Sequence, residues 1–551
     1  MLLLVVFCGL FPHLRQTQRR QHQAVNLGRP RVQCPTLRAQ RDIVRYAERA
    51  PSAIPTIDDA GGGPHPRAGR ECRGILPLLT SVHVNSVGCV ASLTQTSAGT
   101  FAIISVGDWR GWGDAMRRMG GRVLPVFFLM MLCAGIARAD QWTTPQTPWL
   151  LGDWGGLRTR LFQQGFDFQF GYVNEFGTNT EGGVKRFAGY SDQDTIGTTF
   201  DLERLLGIRD AIFQVTFTER TGRNLVADAQ LNTLQLVQEV WGRGQTARLT
   251  QFWYDQQYFN GFVDWKAGRM PFGADFAAFS CNYQNLTFCG ADVGNLVGNY
   301  VFNWPISQWA TRVKFNLSKY WYLQVGAYDQ NQQYLGYTEA LLPVFYSGSS
   351  GVMYPVELAW LPVFGNGKLP GSYKFGGWYS TGTANDVVLD VNGNFAKLTG
   401  LSPMPDRGLY GAYINFQQQV THPDTSNPAS GLNLFLNAVM ADRRTAFTDR
   451  QIAVGGIYTG AISWRPYDDI GFAAGTTHVN SRVASVENLI NDLGMGPVGV
   501  QHSEYVMEVY YSWVPALGAI LRPNIQYVIT PGGTSFNKNA LVFGLKTLAA
   551  F

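Results

Sequence analysis

Side chains that could act together as a nucleophile and a base are scarce after residue 139. Only three histidines lie there, His422, His478 and His502. Ser481 and Ser503 lie close to the last two, but no Gly-x-Ser-x-Gly motif or recognisable catalytic triad surrounds them. Covalent hydrolysis requires a nucleophile beside its activating base. We therefore expect that the protein is not an enzyme, and a hydrolase is only a remote alternative.

Metal-binding and redox patterns are equally sparse in this part of the chain. Cys281 and Cys289 enclose seven residues without a nearby histidine, which is poor spacing for zinc, and they do not form the Cys-x-x-Cys pattern of redox sites. Asp468 and Asp469 could hold a cation, but adjacent carboxylates in a turn are usually just solvated. We expect a disulfide between the two cysteines, and neither a metal nor a cofactor.

Charged side chains recur instead in segments that alternate between apolar and polar residues. In HSEYVMEVYYSWV, which begins at His502, Tyr505 and Met507 alternate with Glu504 and Glu508. An alternation of period two predicts a β-strand with two unlike faces. An unpaired charge in a dry core costs several kcal/mol, so the polar face must meet water while the apolar face meets lipid. That pattern is typical of outer-membrane barrels.

The same alternation predicts sixteen strands. Lipid cannot satisfy an open sheet edge, so the sheet must close on itself, and sixteen strands enclose an aqueous channel. The predicted fold is therefore all-β: a 16-stranded antiparallel transmembrane β-barrel over residues 165–551, with a short N-terminal periplasmic helix in 140–164 and loops folded inward. The predicted strands lie near residues 165–178, 189–201, 211–220, 246–258, 261–269, 309–318, 320–328, 354–364, 371–381, 407–419, 431–441, 450–464, 470–480, 502–513, 520–529 and 539–551.

The N-terminal part of the chain has a different character. Residues 116–139 combine early arginines, an apolar stretch and the small residues Ala137 and Ala139 around a cleavage site, which predicts a secretory signal peptide. Since signal peptides belong at a true N-terminus, we expect residues 1–115 to be a mis-assigned, disordered extension. A disordered basic N-terminal domain is the alternative.

Charge and cysteine counts support the same division. From Asp140 onward the sequence has 27 Lys and Arg and 32 Asp and Glu, a net charge of −5, whereas the whole chain carries +5. The basic balance therefore comes from the leader and does not indicate a nucleic-acid partner. Five of the seven cysteines also precede Asp140, and the remaining even pair suits an oxidising compartment.

One motif before the first predicted strand is specific. In LLGDWGGLRTRL, Asp153 can cap a helix that starts at Trp154 and contains Arg158. This motif, followed by FDLERLLGI, KAGRMPFGADFA, CNYQNLTFCG and RPNIQYVITPGG, closely resembles the carbohydrate-selective porin family, the OprB-like porins, over nearly all of residues 148–551. The resemblance implies a channel for glucose and other sugars. The terminal Phe551 resembles the signal by which assembly machinery recognises barrels, and this implies a Gram-negative outer membrane and its lipids as surroundings.

A sugar-selective pore needs aromatic faces for stacking and charged groups for bidentate hydrogen bonds to vicinal hydroxyls. The longest predicted connection, about residues 270–308, is rich in aromatic residues and could fold inward to narrow the pore. For each charged candidate the alternative is a solvated wall residue, and Arg269 reaches the lumen only if its strand end turns. A general or weakly ion-selective porin is the alternative function, and monomer or trimer stays open. The constriction candidates are Glu175, Arg220, Arg269, Phe279, Tyr283, Arg312, Lys314, Glu504 and Glu508.

Overall fold

The computed structural model describes residues 93–96, 99–102, 149–336, 341–342 and 344–551. The chain divides into a unit over Met1–Gly107 and a unit over Asp108–Phe551. The described part of the first unit is an antiparallel hairpin of Leu93–Thr96 and Gly99–Ala102. The predicted signal peptide and most of the predicted extension lie outside the described residues, so both stay predictions.

The second unit contains a closed barrel of sixteen antiparallel strands in the described part of the chain. Each strand pairs with its neighbours along the chain, and the short piece Val363–Phe364 pairs with Leu369 and Pro370. The strands are β1 (Phe166–Glu181), β2 (Ala188–Asp201), β3 (Ala211–Gly222), β4 (Ala247–Tyr258), β5 (Val263–Met270), β6 (Gln308–Ser318), β7 (Trp321–Gln330), β8 (Gly351–Trp360), β9 (Leu369–Asp390), β10 (Pro403–Gln419), β11 (Gly431–Ala441), β12 (Thr448–Thr459), β13 (Asp469–Val479), β14 (Ser503–Ala516), β15 (Ala519–Ile529) and β16 (Ala540–Ala550).

The barrel closes where β16 pairs with β1, with Lys546 opposite Glu175. This confirms the predicted fold and strand number. Most strand boundaries lie within four residues of the prediction, and two differ by more. Strand β9 continues to Asp390, because the turn-like Asn385 pairs with Pro405 of β10. Strand β12 ends at Thr459, after which the chain enters the turn to β13.

The two faces of the barrel wall have the predicted character. On β14, Tyr505, Met507 and Val509 are 49%, 44% and 47% exposed, whereas Glu504 and Glu508 are each 1% exposed. The wall therefore has an apolar exterior and a polar interior, which is the reverse of a soluble core. Among the described residues, no helix is long and apolar enough to cross a membrane.

The N-terminal helix is present, but the α-helix begins at Leu157 and not at Trp154 as predicted. A 3₁₀ turn covers Trp154–Gly156, and helix α1 runs over Leu157–Gln163. The delay arises because Gly155 and Gly156 have φ values of 68° and 90°, which interrupt the helical path. Gly156 is the N-cap residue of α1, so Asp153 does not cap the helix as predicted. Its Oδ1 nevertheless accepts a hydrogen bond from the Thr159 backbone N–H in the first turn at 2.7 Å.

Arg158 connects this helix to the seam of the barrel. Its guanidinium lies 3.6 Å from the Trp149 ring centroid and donates to the carbonyl oxygens of Phe551 at 2.7 Å and Phe168 at 2.5 Å. The Phe551 N–H in turn donates to the Phe170 oxygen at 2.9 Å. The chain end is thus held between β1 and α1. The periplasmic position of α1 stays a prediction.

Short helices lie in five of the connections between the described strands. They are α2 (Leu202–Leu206), α3 (Leu225–Ala229), α4 (Asp292–Leu296), α5 (Ala396–Thr399) and α6 (Ser481–Asp492). Two connections determine the shape of the interior: the β3–β4 loop, residues 223–246, and the β5–β6 loop, residues 271–307.

Candidate functional site

The β5–β6 loop crosses the barrel interior to the opposite wall. Tyr283 of this loop is fully buried, and its hydroxyl donates to the carbonyl oxygens of Gly456 on β12 at 3.1 Å and Phe472 on β13 at 2.9 Å. Its ring centroid lies 4.9 Å from that of Tyr510 on β14. Tyr283 therefore holds the loop against strands far from β5.

Glu508 of β14 holds the backbone of the same loop. Its two carboxylate oxygens accept hydrogen bonds from the Gln284 and Asn285 N–H groups, each at 2.8 Å. A buried carboxylate and two buried N–H groups thereby satisfy one another. Glu508, a predicted constriction residue, points at the loop backbone.

Two further predicted glutamates hold the β3–β4 loop. Glu504 accepts from the backbone N–H groups of Leu234 at 2.7 Å and Gly532 at 2.9 Å. Glu175 accepts from the Val240 N–H at 3.0 Å. Each of these inward carboxylates is thus directed to loop backbone, and together they hold both loops inside the barrel.

A disulfide joins Cys281 and Cys289 within the β5–β6 loop, with their Cα atoms 4.2 Å apart. It closes a small ring that contains Tyr283. The Glu239 carboxylate of the β3–β4 loop lies close to both sulfur atoms. The disulfide therefore lies where the two loops meet.

Between the loops and the wall lies a cavity of about 630 Å³, a volume common for small-molecule sites. Four charged side chains line it: Arg220 of β3, Glu239 and Arg243 of the β3–β4 loop, and Lys546 of β16. The aromatic side chains of Trp241, Phe279 and Trp304 and both cysteines also line it. The cavity thus combines charged groups with aromatic faces.

Three of these charges and Glu175 of β1, which does not line the cavity, form an alternating chain. We call this chain the cavity cluster: Arg220, Glu239, Lys546 and Glu175. Arg220 Nη2 lies 3.6 Å from Glu239 Oε2, and Lys546 Nζ lies 3.2 Å from Glu239 Oε1. Lys546 Nζ is also 3.0 Å from Glu175 Oε1. Because each charge has an opposite neighbour, the cluster holds Glu239 and Arg220 in fixed positions on the cavity wall.

Neutral donors and acceptors extend this cluster. The Gln193 side-chain oxygen accepts from Arg220 Nε at 2.9 Å and from Trp304 Nε1 at 3.0 Å. Phe279 packs with its ring centroid 4.9 Å from that of Phe435 on β11. The Phe279 ring and the Arg220 guanidinium therefore both line the cavity.

Two predicted cations belong to a second group of charges, which we call the wall cluster. Arg312 Nη1 lies 2.7 Å from Asp264 Oδ1 and its Nη2 lies 3.1 Å from Asp255 Oδ2. Lys314 Nζ lies 3.1 Å from Asp264 Oδ2, and Lys266 Nζ lies 3.1 Å from Asp275 Oδ1 of the β5–β6 loop. Arg312 and Lys314 are not among the residues that line the cavity.

Arg269 also lies away from the cavity lining. In the strand register it stands opposite Phe252 and Trp309. Its guanidinium lies 5.1 Å from the Tyr334 ring centroid and 5.6 Å from that of Tyr346. The strand does bend, since Gly268 has a φ of 141°, but Arg269 ends between aromatic rings of the β7–β8 connection.

Sequence reasoning missed three charged residues of the cavity: Glu239, Arg243 and Lys546. A signal existed for Lys546, because Leu545 and Leu541 belong to the apolar face of the last strand, which places Lys546 on the polar face. Glu239 and Arg243 lie in a loop without periodicity, where no pattern indicates the direction of a side chain.

In the described part of the chain, none of the three histidines is hydrogen-bonded to Ser481 or Ser503. His478 Nδ1 lies 2.7 Å from Asp449 Oδ1, and its Nε2 lies 3.1 Å from Arg450 Nη2. A closed barrel with an apolar exterior, and an interior narrowed by two inward loops, defines an outer-membrane channel.

Comparison with known proteins identifies the family within that class. The profile described as "Carbohydrate-selective porin, OprB family" matches residues 185–551. The chain belongs to this family and is therefore an outer-membrane carbohydrate channel.

Relatives and a solved structure agree with this membership. Porin B of Pseudomonas aeruginosa is 42% identical over 428 residues, which cover 75% of this chain and 94% of the relative. The putative porin QuiX of Acinetobacter baylyi is 35% identical over 430 residues, which cover 74% and 94%. The high-pH structure of Pseudomonas putida OprB is 43% identical, covers 74% of this chain and 99% of that one, and superposes with a TM-score of 0.71.

Proposed function

We propose that the protein lets glucose and other mono- and oligosaccharides diffuse passively into the periplasm, and that the 630 Å³ cavity is its selective constriction. The observation that carries this proposal is the juxtaposition of the Arg220–Glu239 pair with Phe279 and Trp304 around one small volume. A sugar ring offers apolar faces for stacking and a rim of hydroxyls for charge-assisted hydrogen bonds.

The arrangement also favours release of the solute. Glu239 already has two cationic partners, Arg220 and Lys546, so a hydroxyl group competes with existing ion pairs and gains little net free energy. A channel needs such weak binding, since a solute that binds tightly does not leave. Fixed charges can therefore select hydroxyl-rich solutes without trapping them.

The candidate constriction residues divide into three roles under this proposal. Arg220 and Phe279 contact the solute, together with Glu239 and Trp304. Glu175, Glu504, Glu508 and Tyr283 are positioning residues that hold the two loops. Arg269, Arg312 and Lys314 stabilise the wall. The disulfide of Cys281 and Cys289 keeps the loop junction stiff.

A liposome swelling assay on the purified channel tests this proposal. The solutes are glucose, an amino acid of similar size and a disaccharide. Glucose should enter faster than the amino acid, and Glu239→Ala or Phe279→Ala should abolish that difference. Arg269→Ala is the matched control, because it removes a charge away from the cavity. Rates that follow size alone would make the protein a general or weakly ion-selective porin.

Export and assembly extend the proposal. We infer that residues 116–139 are removed as a signal peptide, that the assembly machinery recognises the last strand ending in Phe551, and that each chain encloses its own pore whether monomeric or trimeric. N-terminal sequencing of the protein isolated from outer membranes should begin at Asp140. A sequence beginning upstream of Met116 would contradict the signal-peptide assignment.

A further inference from the structure

One cation on the cavity wall differs from the others. Arg220 and Lys546 each lie close to Glu239, but no acidic side chain in the described part of the chain forms an ion pair with Arg243. The partners of Arg243 are two backbone carbonyls: Nη1 donates to the Gly298 oxygen at 2.6 Å and Nη2 donates to the Gly294 oxygen at 2.9 Å. Its positive charge is therefore not neutralised locally.

These two contacts also fix the position of Arg243. The residue belongs to the β3–β4 loop, whereas Gly294 and Gly298 belong to the β5–β6 loop, so the guanidinium bridges both loops. A side chain at Gly298 would collide with Arg243 Nη2, which means that glycine permits this close approach. A guanidinium has more N–H donors than two carbonyls accept from, so further donors remain at the edge of the cavity that Arg243 lines.

The surroundings add positive charge. Burial, and then the neighbouring charges of Arg220 and Arg248, lower the pKa of Arg243 to about 10. Arg243 is therefore still protonated at neutral pH. Within the cavity cluster the two cations and two carboxylates balance one another. Arg243 consequently leaves the constriction with an excess positive charge.

We propose that this constriction accepts sugar acids, namely aldonates and uronates, in addition to neutral sugars, and that Arg243 binds their carboxylate. The inference rests on the proposed function and names a second substrate class for the same cavity. A planar guanidinium fork matches a carboxylate bidentately. A narrow, low-dielectric passage with excess positive charge raises the local concentration of anions. The hydroxylated chain would meet Arg220, Glu239 and the aromatic faces, as a neutral sugar does.

The experiment compares three radiolabelled probes of similar size in proteoliposomes: neutral glucose, anionic gluconate and glucosammonium, the protonated, cationic form of glucosamine. The unmodified channel should pass gluconate faster than glucosammonium, and a potassium gluconate gradient across a planar bilayer should give an anion-selective reversal potential. Arg243→Gln should lower the gluconate-to-glucose flux ratio about tenfold. Arg243→Lys keeps the positive charge but lacks the planar guanidinium that binds a carboxylate bidentately. This variant should lower the gluconate-to-glucose flux ratio by about threefold.

Arg223→Gln is the matched control. Arg223 belongs to the same loop, is paired with Asp228 at 2.9 Å and does not line the cavity, so its loss should leave the flux ratio unchanged. Gluconate flux no faster than that of glucosammonium in the unmodified channel would overturn the inference without any variant. So would an unchanged ratio in Arg243→Gln. In both cases rapid glucose entry would leave the proposed function intact, whereas glucose entry that follows size alone would contradict the proposed function itself.

Discussion

The cavity cluster and the wall cluster contain the same kinds of side chain but differ in what surrounds them. In the wall cluster Arg312 lies within 3.6 Å of Asp275 and closer still to Asp255 and Asp264. Arg312, Lys266 and Asp264 of this cluster are buried, and the β5–β6 loop covers them through Asp275. In the cavity cluster Glu239 and Lys546 face a space large enough for a solute. A lumenal charge is therefore available to a solute only where the loops leave room beside it.

The largest expected effect is on the wall cluster. Arg312→Ala should lower the free energy of unfolding by about 3 kcal/mol, because the buried Asp264 and the partly buried Asp255 and Asp275 lose their shared cation. Urea unfolding followed by the heat-modifiable mobility of the barrel in gels measures this loss. Discrimination between glucose and the amino acid should stay unchanged in channels that do fold. A changed discrimination would show that the wall cluster contacts the solute after all.

Glu239→Gln should have the opposite profile. Glutamine has nearly the same shape as glutamate, but Arg220 and Lys546 lose their shared carboxylate. The preference for glucose over the amino acid should therefore fall about fivefold to tenfold. Stability should fall less than in Arg312→Ala, since Lys546 keeps its ion pair with Glu175 and Arg220 keeps its hydrogen bond to Gln193. Asp264→Asn is the matched change in the wall cluster and should lower the urea midpoint without affecting selectivity. Equal effects of both variants on selectivity would remove the distinction between the clusters.

The barrel itself could be predicted from the sequence, and the contrast between the clusters could not. Alternating residues such as Tyr505 and Glu504 indicate which face of a strand meets lipid, since an inward charge and an outward aromatic ring leave a signal of period two. The strand number and the closure follow from that signal alone. It also places Arg312 and Lys314 on the interior face, but it cannot show that a loop with Asp275 covers them.

The loops are the part that required the structure. Glu239 and Arg243 reach the cavity through irregular backbone, and nothing in the spacing of their neighbours predicts this direction. The predicted strand glutamates illustrate the same limit. Glu504 and Glu508 point inward as expected, but their partners are loop N–H groups whose positions depend on tertiary contacts such as those of Tyr283. Periodicity shows that a side chain faces the lumen. It does not show whether that side chain already forms hydrogen bonds with a loop.

Replacing Cys281 and Cys289 by serine should have a smaller effect on the cavity than Glu239→Gln. Opening so short a ring should cost about 2 kcal/mol of local stability, and the β5–β6 loop should then fluctuate more. Single-channel recordings should show greater open-channel noise and a loss of glucose preference of about twofold. The urea midpoint of the barrel should be unaffected, since the wall cluster is untouched. Unchanged noise would mean that Tyr283 and Glu508 hold the loop without the disulfide.

The smallest effect concerns Asp292 in α4. Like Arg243, Asp292 lies in the loops inside the barrel without an ion-pair partner among the described residues. No cation among the described residues forms an ion pair with it, and burial raises its pKa from 3.8 to about 7. A buried acid with a raised pKa binds more protons in the folded state, so its contribution to stability falls as pH rises from about 4 to about 7 and stays low above that. Asp292→Asn should therefore slow hydrogen exchange of the β5–β6 loop at pH 8, by a stabilisation on the order of 1 kcal/mol. At pH 4 the variant and the unmodified channel should exchange alike. A stabilisation that is equal at both pH values would mean that Asp292 does not titrate in the loop, and that its charge is compensated as in the wall cluster.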